Sequence, residues 1–327
     1  MSNTIDITKH RAAAADEIEE VRSTIAAEVA GGVSLRVIAE ESGVPYGTLS
    51  AFVKGAYAGR NDNVAERLRP WISSQGAKAK TKKHLAVAPG FLMTPSAASI
   101  MDTLEFAQHA PDMVLITGAP GVGKTMTIEA YAEGSPNVWV LTADASIATP
   151  RQVLVEVADL CGVLDRGRAS ANRLSSILTR RLIGSGGLII VDEAQKLKTE
   201  AMDQLRALHD RAQIGIALVG NNTVKTRLEG GSRGEEFAQL FSRIGMRVNR
   251  QKPTKRDVAI LLDAWNLQDD FVRKRAEEIA REPGALRGMT KALRIAHMTA
   301  ARSGLSAPTE KHLNAAWASI SGYASAP

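Results

Sequence analysis

The chain has 327 residues, 44% of them apolar and only 4% aromatic, which gives room for two or three domains with mainly aliphatic cores. A formal net charge of +6 points to a polyanionic partner, and the single cysteine, Cys161, excludes an internal disulfide. No apolar run reaches the length of a membrane span, and the polar first twenty residues lack the apolar centre of a secretion signal, so a reducing cytoplasm is the expected location.

Residues 1–17 read as a flexible tail, and 18–73 as a small helical domain. Ile18, Val21, Ile25 and Val29 mark one helical face, and Leu35, Val37 and Ile38 a second after the Gly31-Gly32 break. Small Ala39, the turn residue Gly43, and Val44, Leu49 and Val53 then follow the pattern of a helix-turn-helix. In that reading the second helix offers Tyr46, Thr48, Ser50 and Lys54 to the major groove of double-stranded DNA. A protein-binding helical bundle is the alternative. A further helix, Asn63 to Ile72, closes this domain.

The charge is uneven. Lys54, Arg60, Arg67, Arg69, Lys78, Lys80, Lys82 and Lys83 face only Asp62 and Glu66, an excess equal to that of the whole chain. Residues 74–93 read as a basic linker, and its four lysines, with Arg60, are expected to track DNA phosphates. A second basic region runs from Arg243 to Arg256.

From Thr94 strands and helices alternate. Strands are predicted at Met113–Thr117, Asn137–Leu141, Gly187–Val191, Gly215–Val219 and near Ile244–Val248. The intervening helices imply an α/β domain with a central, mainly parallel sheet over 94–250. After Pro253 the pattern is wholly helical, an all-α C-terminal bundle over 251–327. Cys161 reads as a small apolar filler in one of the helices.

The first strand runs into Gly118-Ala119-Pro120-Gly121-Val122-Gly123-Lys124-Thr125, followed by helix-compatible Met126. Strand, glycine-rich turn and helix N-terminus form a phosphate-binding loop, in which backbone N–H groups surround a phosphate and the helix dipole adds positive charge. Lys124 would reach the β- and γ-phosphates of ATP and Thr125 would ligate Mg²⁺. The strand Leu188–Val191 ends in Asp192 and Glu193, placed to hold Mg²⁺ and to polarise an attacking water; helix capping is the plain alternative. Asn221 follows the next strand as a γ-phosphate sensor, with Asn222 and simple turn formation also open. Arg243 is the expected finger for a neighbour's nucleotide, and Arg287 the expected contact from the C-terminal bundle; a surface salt bridge is the alternative for each.

This ordered set resembles the AAA+ ATPases. With the helix-turn-helix ahead of it, and with Ala56–Ala65 and Pro283–Lys291, the chain resembles the B transposition proteins of Mu-type phages over roughly residues 20 to 320. The resemblance implies an ATPase that binds DNA with little sequence preference when loaded with ATP. It also implies self-assembly into filaments, delivery of target DNA to a transposase, and a bacterial host cell as the location. Arg166, Arg168 and Arg173 are the expected DNA contacts of the ATPase domain, a solvated loop being the alternative. A replication initiator or helicase loader, and an ATP-sensing transcription regulator, are the competing readings.

Overall fold

No glycine or proline interrupts the chain between Ser2 and Ala30, and Ala12–Ala15 add strong helix formers, so this stretch forms one helix, α1 (Ser2–Ala30). The tail expected at 1–17 is therefore helical from Ser2. The computed structural model describes the backbone of residues 2–84, 87–163, 169–230 and 242–322, and the side chains of 16–76, 87–163, 169–227 and 242–322. The chain divides into two units, Met1–Leu85 and Ala86–Pro327.

In the first unit α2 (Leu35–Ser42) turns through left-handed Gly43 into α3 (Tyr46–Val53). Ile25, Ile38, Leu49, Phe52 and Leu68 are fully buried between these helices, α1 and α4 (Asn61–His84). Polar groups brace the turn. Arg67 donates to the Gly43 carbonyl, Arg22 Nε donates to Phe52 O at 2.8 Å, and Trp71 Nε1 donates to Glu41 at 2.7 Å. The helix expected to stop at Ile72 instead continues to His84, through Pro70 and into the predicted linker. Pro70 costs the bond to the Glu66 carbonyl, but both residues are exposed, so water can satisfy that oxygen. Beyond it Ala77, Ala79 and the lysines favour helix.

The second unit begins with α5 (Pro95–His109), β1 (Met113–Gly118), α6 (Lys124–Gly134), β2 (Val138–Thr142), α7 (Pro150–Leu160) and α8 (Ala171–Leu182). It continues with β3 (Leu188–Asp192), a 3-10 turn (Ala194–Lys196), α9 (Thr199–Ala212), β4 (Gly215–Gly220), α10 (Asn222–Gly230) and β5 (Ile244–Arg250). The five strands lie in the order β2-β3-β4-β1-β5, and every pairing is parallel. The three inner strands β3, β4 and β1 are covered on both faces, which explains their apolar runs, whereas the edge strand β5 is largely exposed and carries Arg247, Asn249 and Arg250. Leu115, Ile189, Val191 and Leu218 pack with α7, α8 and α9, and Val114, Ile116, Ile190 and Val219 with Ile100, Leu104 and Ile128. Helix α10 was not legible in the sequence.

The C-terminal bundle comprises α11 (Lys255–Ala264), α12 (Asp270–Ile279), α13 (Ala285–Arg302) and α14 (Glu310–Ser321). Thr254 and Asp257 form a capping box on α11. The fully buried Asp257 carboxylate also accepts from Ser96 N at 2.9 Å and Ser96 Oγ at 2.6 Å, tying α11 to the start of α5. Cys161 is buried and its thiol is pushed up to about 11 by burial, so it is a protonated filler.

Candidate nucleotide site

Parallel strands gather their loops at the carboxyl edge, where α/β folds bind ligands. Gly118, Asp192 and Gly220 end β1, β3 and β4 at that edge. Beside that edge lies a cavity of about 410 Å³ lined by the phosphate loop from Pro120 to Thr127, by Glu193, Gln195 and Asn221, and by Arg287, Lys291 and Arg294 of α13. Phe91, Leu92, Leu261, Trp265 and Leu286 add apolar lining.

The loop adopts the conformation its glycines allow. Gly121 and Gly123 have φ of 84° and 100°, a region that side chains disfavour. A Cβ on Gly121 would collide with the Gly284 carbonyl, and Arg287 N donates to Gly121 O at 3.3 Å. The turn before α13 is thus docked backbone-to-backbone on the loop. Gly118 and Ala119 do not line the cavity. They lie behind it, where Ala119 N donates to Arg250 O at 3.1 Å and a Cβ on Gly118 would strike the same oxygen.

Lys124 Nζ donates to Gly118 O at 2.8 Å and Ala119 O at 3.1 Å. Burial lowers its pKa below the usual lysine value, Asp192 and Glu193 pull it back up, and Arg287 adds to the lowering. Thr125 Oγ1 donates to Asp192 Oδ2 at 2.8 Å, and Glu193 N donates to Asp192 Oδ1 at 2.8 Å. Asp192 is buried behind Thr125 and does not line the cavity, whereas Glu193 does. Glu193 has left-handed backbone (φ 57°, ψ 32°) and its carboxylate accepts from Gln195 Nε2. Asn221 Oδ1 caps α10 by accepting from Thr223 N at 2.8 Å, which leaves its Nδ2 as the atom for a phosphate or water. Met126 lines the cavity and is half exposed.

Arg243 lies elsewhere. It precedes Ile244, which pairs with Met113 at the start of β1, so five strand steps, roughly 17 Å, separate it from Gly118. It is exposed and its Nε is 3.5 Å from Asp210 Oδ1, the ion pair that the alternative reading expected. Asn222 is the first residue of α10 and bonds Gln251 at 2.8 Å. Gln195, Lys291 and Arg294 were missed in the sequence. The only signal for the last two was their spacing with Arg287 along one helical face.

Among the expected DNA contacts, Tyr46 is exposed at 55%, Thr48 and Ser50 are half-buried on α3, and Lys54 is exposed just beyond it. Arg60 is paired with Asp62 at 3.0 Å, both on the surface. Arg173 is exposed in the first turn of α8. The side chains of Lys78, Lys80, Lys82 and Lys83, and all of Arg166 and Arg168, lie outside the described residues.

Strand order, phosphate loop and acid pair together define the AAA+ class of P-loop ATPase domains. Residues 107–228 match the family model described as AAA domain. The fold is shared by the Aeropyrum pernix ORC2 protein in its ADPNP-ADP complexes, with a TM-score of 0.54 and 17% identity over 71% of this chain and 69% of that one.

Residues 242–320 match the model described as Mu B transposition protein, C terminal. The ATP-dependent target DNA activator B of Escherichia phage Mu is 38% identical over 267 residues, covering 82% of this chain and 84% of the relative. The transposition protein B of the Mu-like prophage FluMu in Haemophilus influenzae is 36% identical over 256 residues, covering 78% and 88%. The chain belongs to this family of Mu B transposition proteins. No helix among the described residues is long and apolar enough to cross a membrane.

Proposed function

We propose that the protein is an ATP-switched DNA-binding ATPase that assembles on duplex DNA with little sequence preference and presents it to a transposase. The observation that carries this reading is the position of Arg243. It is exposed at the opposite edge of the sheet from its own phosphate loop, so it suits a neighbouring molecule's nucleotide. ATP bound between subunits would then couple nucleotide to assembly, and assembly would multiply weak phosphate contacts by avidity.

Within one subunit the loop N–H groups and Lys124 hold the β- and γ-phosphates, Lys124 leaving its two loop carbonyls to do so. Glu193 accepts a proton from the water that attacks the γ-phosphorus as the bond to the β–γ bridging oxygen breaks. Asn221 Nδ2 and Arg287 fix the γ-phosphate. Thr125 Oγ1 and Asp192 Oδ2 meet at 2.8 Å, a hydroxyl and a carboxylate that suit Mg²⁺, which keeps several waters and takes few protein oxygens. Bound there, Mg²⁺ would neutralise phosphate charge and orient its oxygens. Arg243 from the neighbour stabilises the charge that develops on transfer, so turnover is slow until subunits assemble.

DNA contacts are assigned in the first unit to Tyr46, Thr48, Ser50 and Lys54 of the helix-turn-helix, to Arg60 and to the lysines of 78–83, and separately in the second unit to Arg166, Arg168 and Arg173. Arg173 sits at the positive end of α8, an unfavourable place for a cation without an anionic ligand. Arg60 must leave Asp62 to contribute, a small cost for an exposed pair.

Binding to random-sequence duplex with ATP, ADP or no nucleotide over a salt series, with light scattering alongside, tests this reading. Sequence-indifferent, ATP-dependent binding with a rise in scattering, lost in Lys124→Ala, is expected. Nucleotide-independent binding to one preferred site without polymers would overturn it.

A further inference from the structure

Gln195 stands between the acid pair and the end of β4. Its Nε2 donates to Glu193 Oε2, and its Oε1 accepts from Asn221 N at 3.3 Å. Both partners dictate the orientation of this amide: a carboxylate only accepts and a backbone N–H only donates. The space for it exists because residue 220 is glycine, where a Cβ would strike Gln195 Oε1. The turn carrying Gln195 is braced from α10, where Arg227 Nη1 donates to Gln195 O at 3.0 Å and Leu197 O at 2.9 Å. Helix α10 is the last described element before the segment that ends at Arg243.

We propose that Gln195 positions Glu193 for catalysis, and that Arg227 holds Gln195 in register from α10. One carboxylate oxygen of Glu193 is anchored by the amide, and the other is left to the attacking water. Without the anchor the side chain, already on a left-handed backbone, has no fixed rotamer facing the γ-phosphate. Gln195 makes no phosphate contact in this scheme, so its loss slows turnover and spares nucleotide affinity. The inference rests on the assignment of Glu193 as the base that takes the proton of the attacking water.

The test is steady-state ATP hydrolysis by the full chain on saturating duplex DNA, with kcat and KM separated. Gln195→Met fills the same space without an amide, and kcat is expected to fall about tenfold, the effect of one hydrogen bond to a charged group, with KM within about twofold. Gly220→Ala, which displaces the amide without removing it, lowers kcat in the same way and serves if the methionine variant does not fold. Arg227→Met lowers kcat about threefold, and the double variant is no slower than Gln195→Met alone, because both act through one contact.

Wild-type kcat in Gln195→Met, a raised KM with unchanged kcat, or multiplicative losses in the double variant would overturn the proposal. Glu193→Gln separates the two assignments. Retained turnover in that variant removes the base assignment and this inference together. An inactive Glu193→Gln beside an unimpaired Gln195→Met removes only the inference.

Discussion

Two left-handed glycines of one loop differ in whether a side chain would meet the turn before α13. Gly121 and Gly123 both have left-handed φ, 84° and 100°, so alanine at either carries about 1–2 kcal/mol of backbone strain. A Cβ at Gly123 meets nothing within 4 Å, whereas one at Gly121 strikes the Gly284 carbonyl and comes within 3.1 Å of Arg287 Cβ. That collision is with backbone and adds about 1–3 kcal/mol of overpacking. The turn Gly284-Ala285 must move, and with it goes the Arg287 N–H bond to Gly121 O. Gly123→Ala is therefore expected to weaken binding of a fluorescent ATP analogue by about 5–30-fold, and Gly121→Ala by a further 5–150-fold or so. Limited proteolysis should show the C-terminal bundle more accessible in Gly121→Ala alone. Equal losses of affinity, with the same proteolytic pattern, would refute the docking of the C-terminal bundle on the phosphate loop.

Arg243→Ala should leave ATP binding unchanged and reduce DNA-stimulated hydrolysis by about 10³-fold. Mixing it with Glu193→Gln should restore part of that activity if the arginine acts across subunits, and no recovery would place its role elsewhere. Asp257→Asn should lower the melting temperature by about 6–12 °C, because the amide cannot accept all the hydrogen bonds that Ser96 and Thr254 donate, a loss of about 3 kcal/mol. Burial alone raises the pKa of this carboxyl, but the bonds from Ser96 and Thr254 override it and hold the group below its ordinary 3.8. The stabilisation is thus complete above that value and disappears as pH falls through the depressed one, so melting curves of wild type and variant should converge in acid. His297 stacks on Trp265 with ring centroids 5.3 Å apart, and burial lowers its pKa below 6.5. Its contribution is full above 6.5 and is lost as pH drops through the lowered value; His297→Phe should flatten the fall in melting temperature below pH 6.5.

The local signals that needed only neighbouring residues were legible in the chain. The glycine-rich loop between strand and helix, and the four aliphatics before Asp192-Glu193, each arise within a few residues, where periodicity and side-chain chemistry act directly. Those signals placed the five strands within about two residues at each end. They failed at two helices: α4 passes Pro70 and Gly76 to reach His84, and α1, which no glycine or proline opposes, begins at Ser2 rather than after a tail. Tertiary structure alone decided what meets across the sheet edge. Spacing along the chain does not say that Gln195 bridges Glu193 and Asn221, that Lys291 and Arg294 join Arg287 at the cavity, or that Gly121 is fitted to Gly284. Those contacts join residues as much as 163 positions apart: the parallel strand order brings the loops after β1, β3 and β4 to one edge, and the helical bundle docks its own turn on the phosphate loop there, so packing rather than local propensity sets the geometry.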